Sequence, residues 1–304
     1  MEPGELQHFH THGYVVLSGR VPESLCQAVL RESWERLEAH GIMRNQPKSW
    51  AGLNKMGFTE LYALPSMWRM RQVPEVYQAF ATLLERSDLW VSVDRMGLKR
   101  PGYWLKRGQR VSFPGKDHTD VHTDVNLWHP PTELRLQGLV ALEDTDVDQG
   151  GFACIPGFHH TFRQWTQDNL DARRPARQTF VRFRDKALIE SSMTPIPMKK
   201  GDLLIWNALL PHTNTSNQTD RWRACQYVTF FPAHGEHRQM QEQARYAWST
   251  GRPPSHFPGG KARFKDLPTH DRKDGYVPTE LSQLGKRLLG IEAWSAPKKH
   301  GAMD

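Results

Sequence analysis

Gly201-Asp202-Leu203-Leu204-Ile205-Trp206-Asn207-Ala208-Leu209-Leu210-Pro211-His212 runs from a turn through an apolar stretch to a histidine preceded by proline. An apolar run launched by Gly-Asp reads as a buried strand, and its terminal histidine falls where a site inside a sheet would open. Arg223 opens another such run, Arg223-Ala224-Cys225-Gln226-Tyr227-Val228-Thr229-Phe230-Phe231, eleven residues past His212. Outward from these two, short runs rich in β-branched and aromatic residues cover 89–98, 134–142, 152–155 and 179–183, separated by Gly, Pro, Asp and Asn. Several short strands between turn signals predict an antiparallel barrel or a double-sheet jelly roll. Strand–helix alternation and a GxGxxG are both missing, so a dinucleotide-binding fold has no support.

The flanks read differently. After the strand-like Gly13-Tyr14-Val15-Val16-Leu17, Pro22 stands where a first helical turn begins, and Leu25, Val29, Trp34 and Leu37 share one helical face up to Gly41. A second helix is predicted over 74–86. Residues 233–276 are polar and turn-rich and read as a long loop, followed by a short amphipathic helix over 278–294. The expected organisation is one domain over 1–304: helical support in 1–88, a jelly-roll core in 89–232, and a C-terminal loop and helix lid in 233–304.

With 304 residues, 38% of them hydrophobic, and 11 Trp and 13 Phe, the chain can bury a core, which excludes wholesale disorder. No run approaches the roughly 18 apolar residues of a membrane span. The first residues show neither a basic nor an apolar signal region, and three cysteines without a CxxC pair fit a reducing cytoplasm. The formal charge of +7 is scattered over Arg107/Arg110, Arg173/Arg174, Lys199/Lys200, Arg272/Lys273 and Lys298/Lys299. That pattern predicts a solvated surface and no nucleic-acid partner, and mildly favours a polar or anionic small substrate. Nothing in the sequence points to an oligomeric state.

The densest chemical signal is Asp117-His118-Thr119-Asp120-Val121-His122-Thr123-Asp124, two His-x-Asp pairs four residues apart. In an extended strand a His-x-Asp pair presents imidazole and carboxylate on one face, two parts of a 2-His-1-carboxylate set that leaves positions open on Fe(II). His212 is the candidate third ligand from a distant strand. A buried Arg223 near such a site can hold a carboxylate in a two-pronged grip.

Together these stretches resemble the phytanoyl-CoA dioxygenase family of Fe(II)/2-oxoglutarate oxygenases. The segment from Phe9 to Leu17 is similar to the family's opening, and His122-Thr123-Asp124-Val125-Asn126-Leu127-Trp128-His129 resembles its His-x-Asp strand, close to that of ectoine hydroxylases. Gln149-Gly150-Gly151 through His159 resembles its glycine turn, and Gly201 to Tyr227 its His-to-Arg block. Phe158 departs from a usual Ser or Thr, Asn214 from a frequent Ser, and Leu139 lies near where some members carry Trp.

The resemblance implies a mainly β fold, a double-stranded β-helix (jelly-roll, cupin-like) with N-terminal helices. It implies Fe(II) held by His122, Asp124 and His212, and 2-oxoglutarate on Arg223, with Asn214 as a further contact. O2 would be the other co-substrate, succinate and CO2 the co-products. Asn126 and Trp128 are expected to line the pocket of a small-molecule substrate. Because Asp124 supplies a carboxylate, no position is freed for a halide, and hydroxylation or a related oxidation is expected. The motif matches from His122, with His118 and Asp120 left at the strand's beginning. The alternative is a metal-binding jelly roll without 2-oxoglutarate chemistry.

Overall fold

The computed structural model describes residues 1–113, 117–127, 129–169, 191–253 and 275–294. Helix α1 (Pro3–His12) ends at Gly13, whose φ of 76° is the left-handed conformation that glycine adopts without steric cost. Strand β1 (Tyr14–Leu17) follows at once, and α2 (Glu23–Ala39) starts after Pro22 as its fixed φ suggests. Next come β2 (Phe58–Thr59), α3 (Pro65–Met70) and α4 (Pro74–Leu83).

The β-rich middle holds β3 (Leu89–Val91), β4 (Met96–Lys99), β5 (Tyr103–Lys106), β6 (Gln109–Ser112), β7 (Leu136–Ala141) and β8 (Phe152–Cys154). After α5 (Phe158–Asn169) it continues through β9 (Thr194–Pro195), β10 (Leu203–Asn207), β11 (His212–Asn214), β12 (Arg223–Tyr227) and β13 (Phe230–Pro232).

Six strands form one antiparallel sheet in the order β1-β10-β7-β12-β4-β2, and β11-β8-β9 form a smaller one. Successive side chains of a strand point to opposite faces, so each central strand feeds two cores. Leu203, Ile205, Val140, Leu142 and Ala224 join the helices in the larger core. Leu204, Trp206, Leu139, Ala141 and Cys225 turn the other way and meet Phe152 and Cys154 of the smaller sheet. This double-sheet jelly roll with helices on its outer face is the mainly β class expected. It also explains why β10 is buried along its whole length.

Two departures concern the C-terminal part. Within the expected loop lies helix α6 (Arg238–Thr250), whose buried positions are Gln241, Ala244 and Ala247. Only α7 (Gln283–Leu288) is helical in the stretch expected to be helix through 294, capped by the Ser282 hydroxyl accepting from the Gly285 N–H at 3.1 Å. The run 179–183, the expected pocket residue Trp128, and 254–274 of the expected lid lie outside the described residues. No described helix is long and apolar enough to cross a membrane.

Candidate metal centre

His122 and His212 face each other across an isolated bridge, each backbone N–H donating to the other's carbonyl, at 3.0 and 2.8 Å. The bridge fastens an otherwise irregular segment to β11. Thr119 supports it by donating its N–H to the Asn214 carbonyl at 3.2 Å and by accepting the Asn214 N–H on its hydroxyl at 2.8 Å. Among the residues 117–127, only His122 makes a ladder contact, so the expected uninterrupted strand is a pinned segment that bends at Asp124.

Each imidazole is held in one tautomer. The Asp120 carbonyl accepts from His122 Nδ1 at 2.7 Å, and the Leu210 carbonyl from His212 Nδ1 at 3.0 Å. A carbonyl can only accept, so Nδ1 carries the proton and Nε2 keeps its lone pair. Both Nε2 atoms point at Asp124: His122 Nε2 is 3.8 Å from Oδ1, and His212 Nε2 is 3.5 Å from Oδ2. Ligand atoms of the three residues lie within 4.8 Å of one another. Two imidazole nitrogens and one carboxylate with fixed outer partners suit Fe(II).

The Asp124 carboxylate is oriented by Gln137, whose Nε2 donates to Oδ2 at 2.6 Å. Its desolvation opposes ionisation, but the neighbouring His212 and His122 imidazoles and the Gln137 hydrogen bond hold it well below the usual carboxylate range. Burial, and then the neighbouring His212, push the His122 imidazole below its ordinary value, against the opposing pull of Asp124. Both groups are thereby in their metal-binding forms near neutral pH.

Deeper in the interior, Arg223 is 1% exposed, and its Nε and Nη2 have no hydrogen-bond partner among the described residues. Unpaired donors on a buried cation are costly, and a carboxylate arriving there would satisfy them. Asn214, two residues beyond His212 on β11, donates to the Tyr227 hydroxyl at 3.0 Å, and Tyr227 is hydrogen-bonded in turn to Arg223. Burial, reinforced by Cys225, pushes the Tyr227 phenol up to about 12, so it remains a neutral donor. A chain of contacts thus joins the cationic pocket to the strand that carries His212.

The other expected residues are placed more variously. Asn126 is half-buried between Val125 and Leu127, which pack on Phe162 of α5. His118 is away from the triad, its Nδ1 3.2 Å from the Ser216 hydroxyl, and Asp120 meets solvent. Gln137 and Tyr227 were missed in the sequence. Their signal was a polar residue in the apolar run 134–142 and a tyrosine at i+4 from Arg223 on one strand face.

The fold and this cluster define a class: a jelly roll with a 2-His-1-carboxylate set at one end of its interior. Residues 98–225 match the sequence model of the phytanoyl-CoA dioxygenase (PhyH) family, which bears out the resemblance over that stretch. A Dictyostelium discoideum protein named provisionally as a phytanoyl-CoA dioxygenase is 24% identical over 270 residues, covering 74% of each chain. A hypothetical protein of Escherichia coli shares the fold with a TM-score of 0.70 at 15% identity, over 95% of this chain and 82% of that one. The epimerase SnoN, solved with Fe3+, alpha-ketoglutarate and nogalamycin RO, does so with a TM-score of 0.53 at 19% identity, over 76% and 83%.

Proposed function

We propose that the protein is a non-haem Fe(II)/2-oxoglutarate-dependent dioxygenase that hydroxylates, or otherwise oxidises, a small-molecule substrate, with succinate and CO2 as co-products. The observation that carries this is the pairing of the converged His122, Asp124 and His212 with an interior guanidinium whose Nε and Nη2 have no hydrogen-bond partner among the described residues. His122 and His212 would hold the iron through Nε2, and Asp124 through its carboxylate. When bound, the iron and its co-substrate supply the oxidising chemistry with O2.

The chain's own part is binding and orientation. Arg223 would take the distal carboxylate of 2-oxoglutarate through Nε and Nη2, with Tyr227 and Asn214 fixing the guanidinium's direction. Gln137 keeps the Asp124 carboxylate turned to the imidazoles. The apolar wall of Leu139, Phe152, Leu204 and Trp206 excludes water from the centre. The cysteines are buried free thiols, as a cytoplasmic location allows.

The experiment is an anaerobic titration of the protein with Fe(II) and 2-oxoglutarate, followed by the metal-to-ligand charge-transfer band, then succinate measured after admitting O2. One equivalent of each ligand and slow succinate formation are expected; no binding of either would end the reading. Arg223→Met should weaken 2-oxoglutarate binding by about 100-fold while leaving metal affinity in place. Metal binding by the wild type without any 2-oxoglutarate binding would instead favour a metal-binding jelly roll of other chemistry.

A further inference from the structure

Away from the triad, one other group of described residues brings metal-binding atoms together: His234, Glu236 and His237, whose ligand atoms all lie within 4.8 Å of one another. Glu133, in the segment that leads into β7, adds a second carboxylate, its Oε2 3.8 Å from His234 Nε2.

Local geometry makes the cluster. His234-Gly235-Glu236-His237 enters α6 through one tight turn, a 3-10 helix over Gly235–His237. Residues three apart come nearly into line in such a turn, and the His234 and His237 ring centroids lie 4.8 Å apart. The backbone beneath is fixed. Ala233 donates its N–H to the Asp88 carbonyl at 2.9 Å, and His237 donates its own to the His234 carbonyl at 3.0 Å. The Phe231 ring, 5.1 Å from the His237 ring, backs that imidazole.

The fold makes little other use of these side chains. His234 and His237 hold the N-cap positions of the turn and of α6, and neither side chain caps. Among the described residues neither imidazole makes a hydrogen bond, and Glu236 makes neither a hydrogen bond nor an ion pair. Asp88, whose carbonyl holds the turn, has its carboxylate committed to Arg86 at 2.7 Å, so that arginine is no counter-ion for the cluster. Burial, then His234 and Arg135, push the His237 imidazole below its ordinary value, against the pull of Glu236 and Glu133. A neutral imidazole with an unused lone pair beside carboxylates is in its metal-binding form.

We propose that His234, Glu236, His237 and Glu133 form a second metal site, which takes Zn(II) and ties the start of α6 to the segment ahead of β7. Two imidazoles and two carboxylates match the nitrogen and oxygen donors and the tetrahedral coordination of structural zinc. Bonds of about 2.1 Å set tetrahedral ligand atoms about 3.4 Å apart, so rotations of the two exposed carboxylates close the set. Four protein ligands leave no position for a substrate, which makes the role structural. Fe(II) stands lower than Zn(II) in the order of affinities for such donors, so the two sites sort two metals. Nothing here depends on the dioxygenase reading.

The test titrates the full chain, stripped with a chelator, with Zn(II) in the presence of a chromophoric competitor. Wild type should bind two equivalents, because the triad also accepts zinc, and His237→Ala only one. His122→Ala, with the triad disabled, should bind one equivalent tightly, and the added Glu133→Gln should weaken it by about tenfold or more. Co(II) in His122→Ala should give the strong visible bands of a tetrahedral ion, and adding His234→Ala should abolish them. Circular dichroism of each variant reports folding, and if His122→Ala does not fold, the difference between wild type and His237→Ala carries the same test.

The proposal is overturned if wild type and His237→Ala bind the same number of zinc ions with the same affinity, or if the Co(II) bands survive His234→Ala. The Fe(II)/2-oxoglutarate charge-transfer band, recorded on His237→Ala, should match that of wild type. Its absence from both proteins would sink the dioxygenase reading and leave the zinc count to decide the second site.

Discussion

His122 and His118 carry the same side chain four residues apart on one pinned segment, yet only His122 has its Nε2 turned to Asp124. A displacement of four residues along an extended chain is roughly 13 Å, beyond any shared coordination sphere. His122→Ala should therefore abolish the Fe(II)/2-oxoglutarate charge-transfer band, and His118→Ala should keep it; the reverse would move the metal assignment by four residues. The same imidazole sets a pH response. Its folded-state value lies below the ordinary one of about 6.5, so the unfolded chain takes up this proton before the folded chain does. Apo stability then falls as pH drops through the ordinary histidine range, and metal affinity falls further down as the imidazole protonates. The thermal shift produced by Mn(II) should be full at pH ~7.5 and nearly gone at pH ~5, where protons displace the metal. A shift that persists undiminished in acid would mean that the imidazoles are not the ligands.

At the scale of elements, Gly138 shows how tightly the helical layer is fitted to the sheet. A Cβ placed there would stand 2.8 Å from Phe80 Cζ of α4 and 3.0 Å from the Leu204 and Val228 carbonyl oxygens. The ring can retreat but the carbonyls of a paired ladder cannot, so Gly138→Ala should cost about 1–3 kcal/mol in urea unfolding. Phe80→Leu in the same chain should recover only part of it; full recovery would show that the ladder is not strained. This fit between layers is not legible in the sequence, where Gly138 is one glycine inside an apolar run. What was legible has a local cause. β10 announced itself by an apolar run behind a Gly-Asp turn, and the triad by residue types whose chemistry is rare in combination. Helix α6 escaped because it buries only Gln241, Ala244 and Ala247, too small and polar a stripe to register beside prolines and glycines. The β5–β6 hairpin escaped too, since Arg107 and Gly108 both take positive φ while polar and charged residues flank the turn. Gln137 and Tyr227 matter through partners on other strands or segments, and no spacing along one chain encodes those meetings.

Across the whole molecule, one apolar core joins Phe9 near the start to Leu288 and Leu289 near the end of the described chain. Trp222 at the head of β12 packs edge-on against Trp34 at 4.8 Å and Trp50 at 4.7 Å, so the N-terminal helices are held to the strand that carries Arg223. At the opposite end Trp294 stacks on Tyr77 of α4 at 5.6 Å and donates its Nε1 to the Leu89 carbonyl at 2.9 Å. These contacts lie on the helical side of the large sheet, whereas the His122, Asp124 and His212 cluster opens between the two sheets. A chain whose described ends share one core should unfold in one transition, and its C-terminal anchor should act on stability and not on co-substrate binding. Trp294→Ala removes a half-buried ring and one hydrogen bond, which predicts a loss of about 1–3 kcal/mol. Chemical denaturation followed by both circular dichroism and tryptophan fluorescence should still give coincident curves. Affinity for 2-oxoglutarate, titrated on the folded variant, should stay within about twofold of wild type, the range of a substitution remote from the site. If the affinity instead drops tenfold or more while stability barely changes, the C-terminal segment closes over the site rather than buttressing the sheet, and the division between helical support and barrel interior would have to be redrawn.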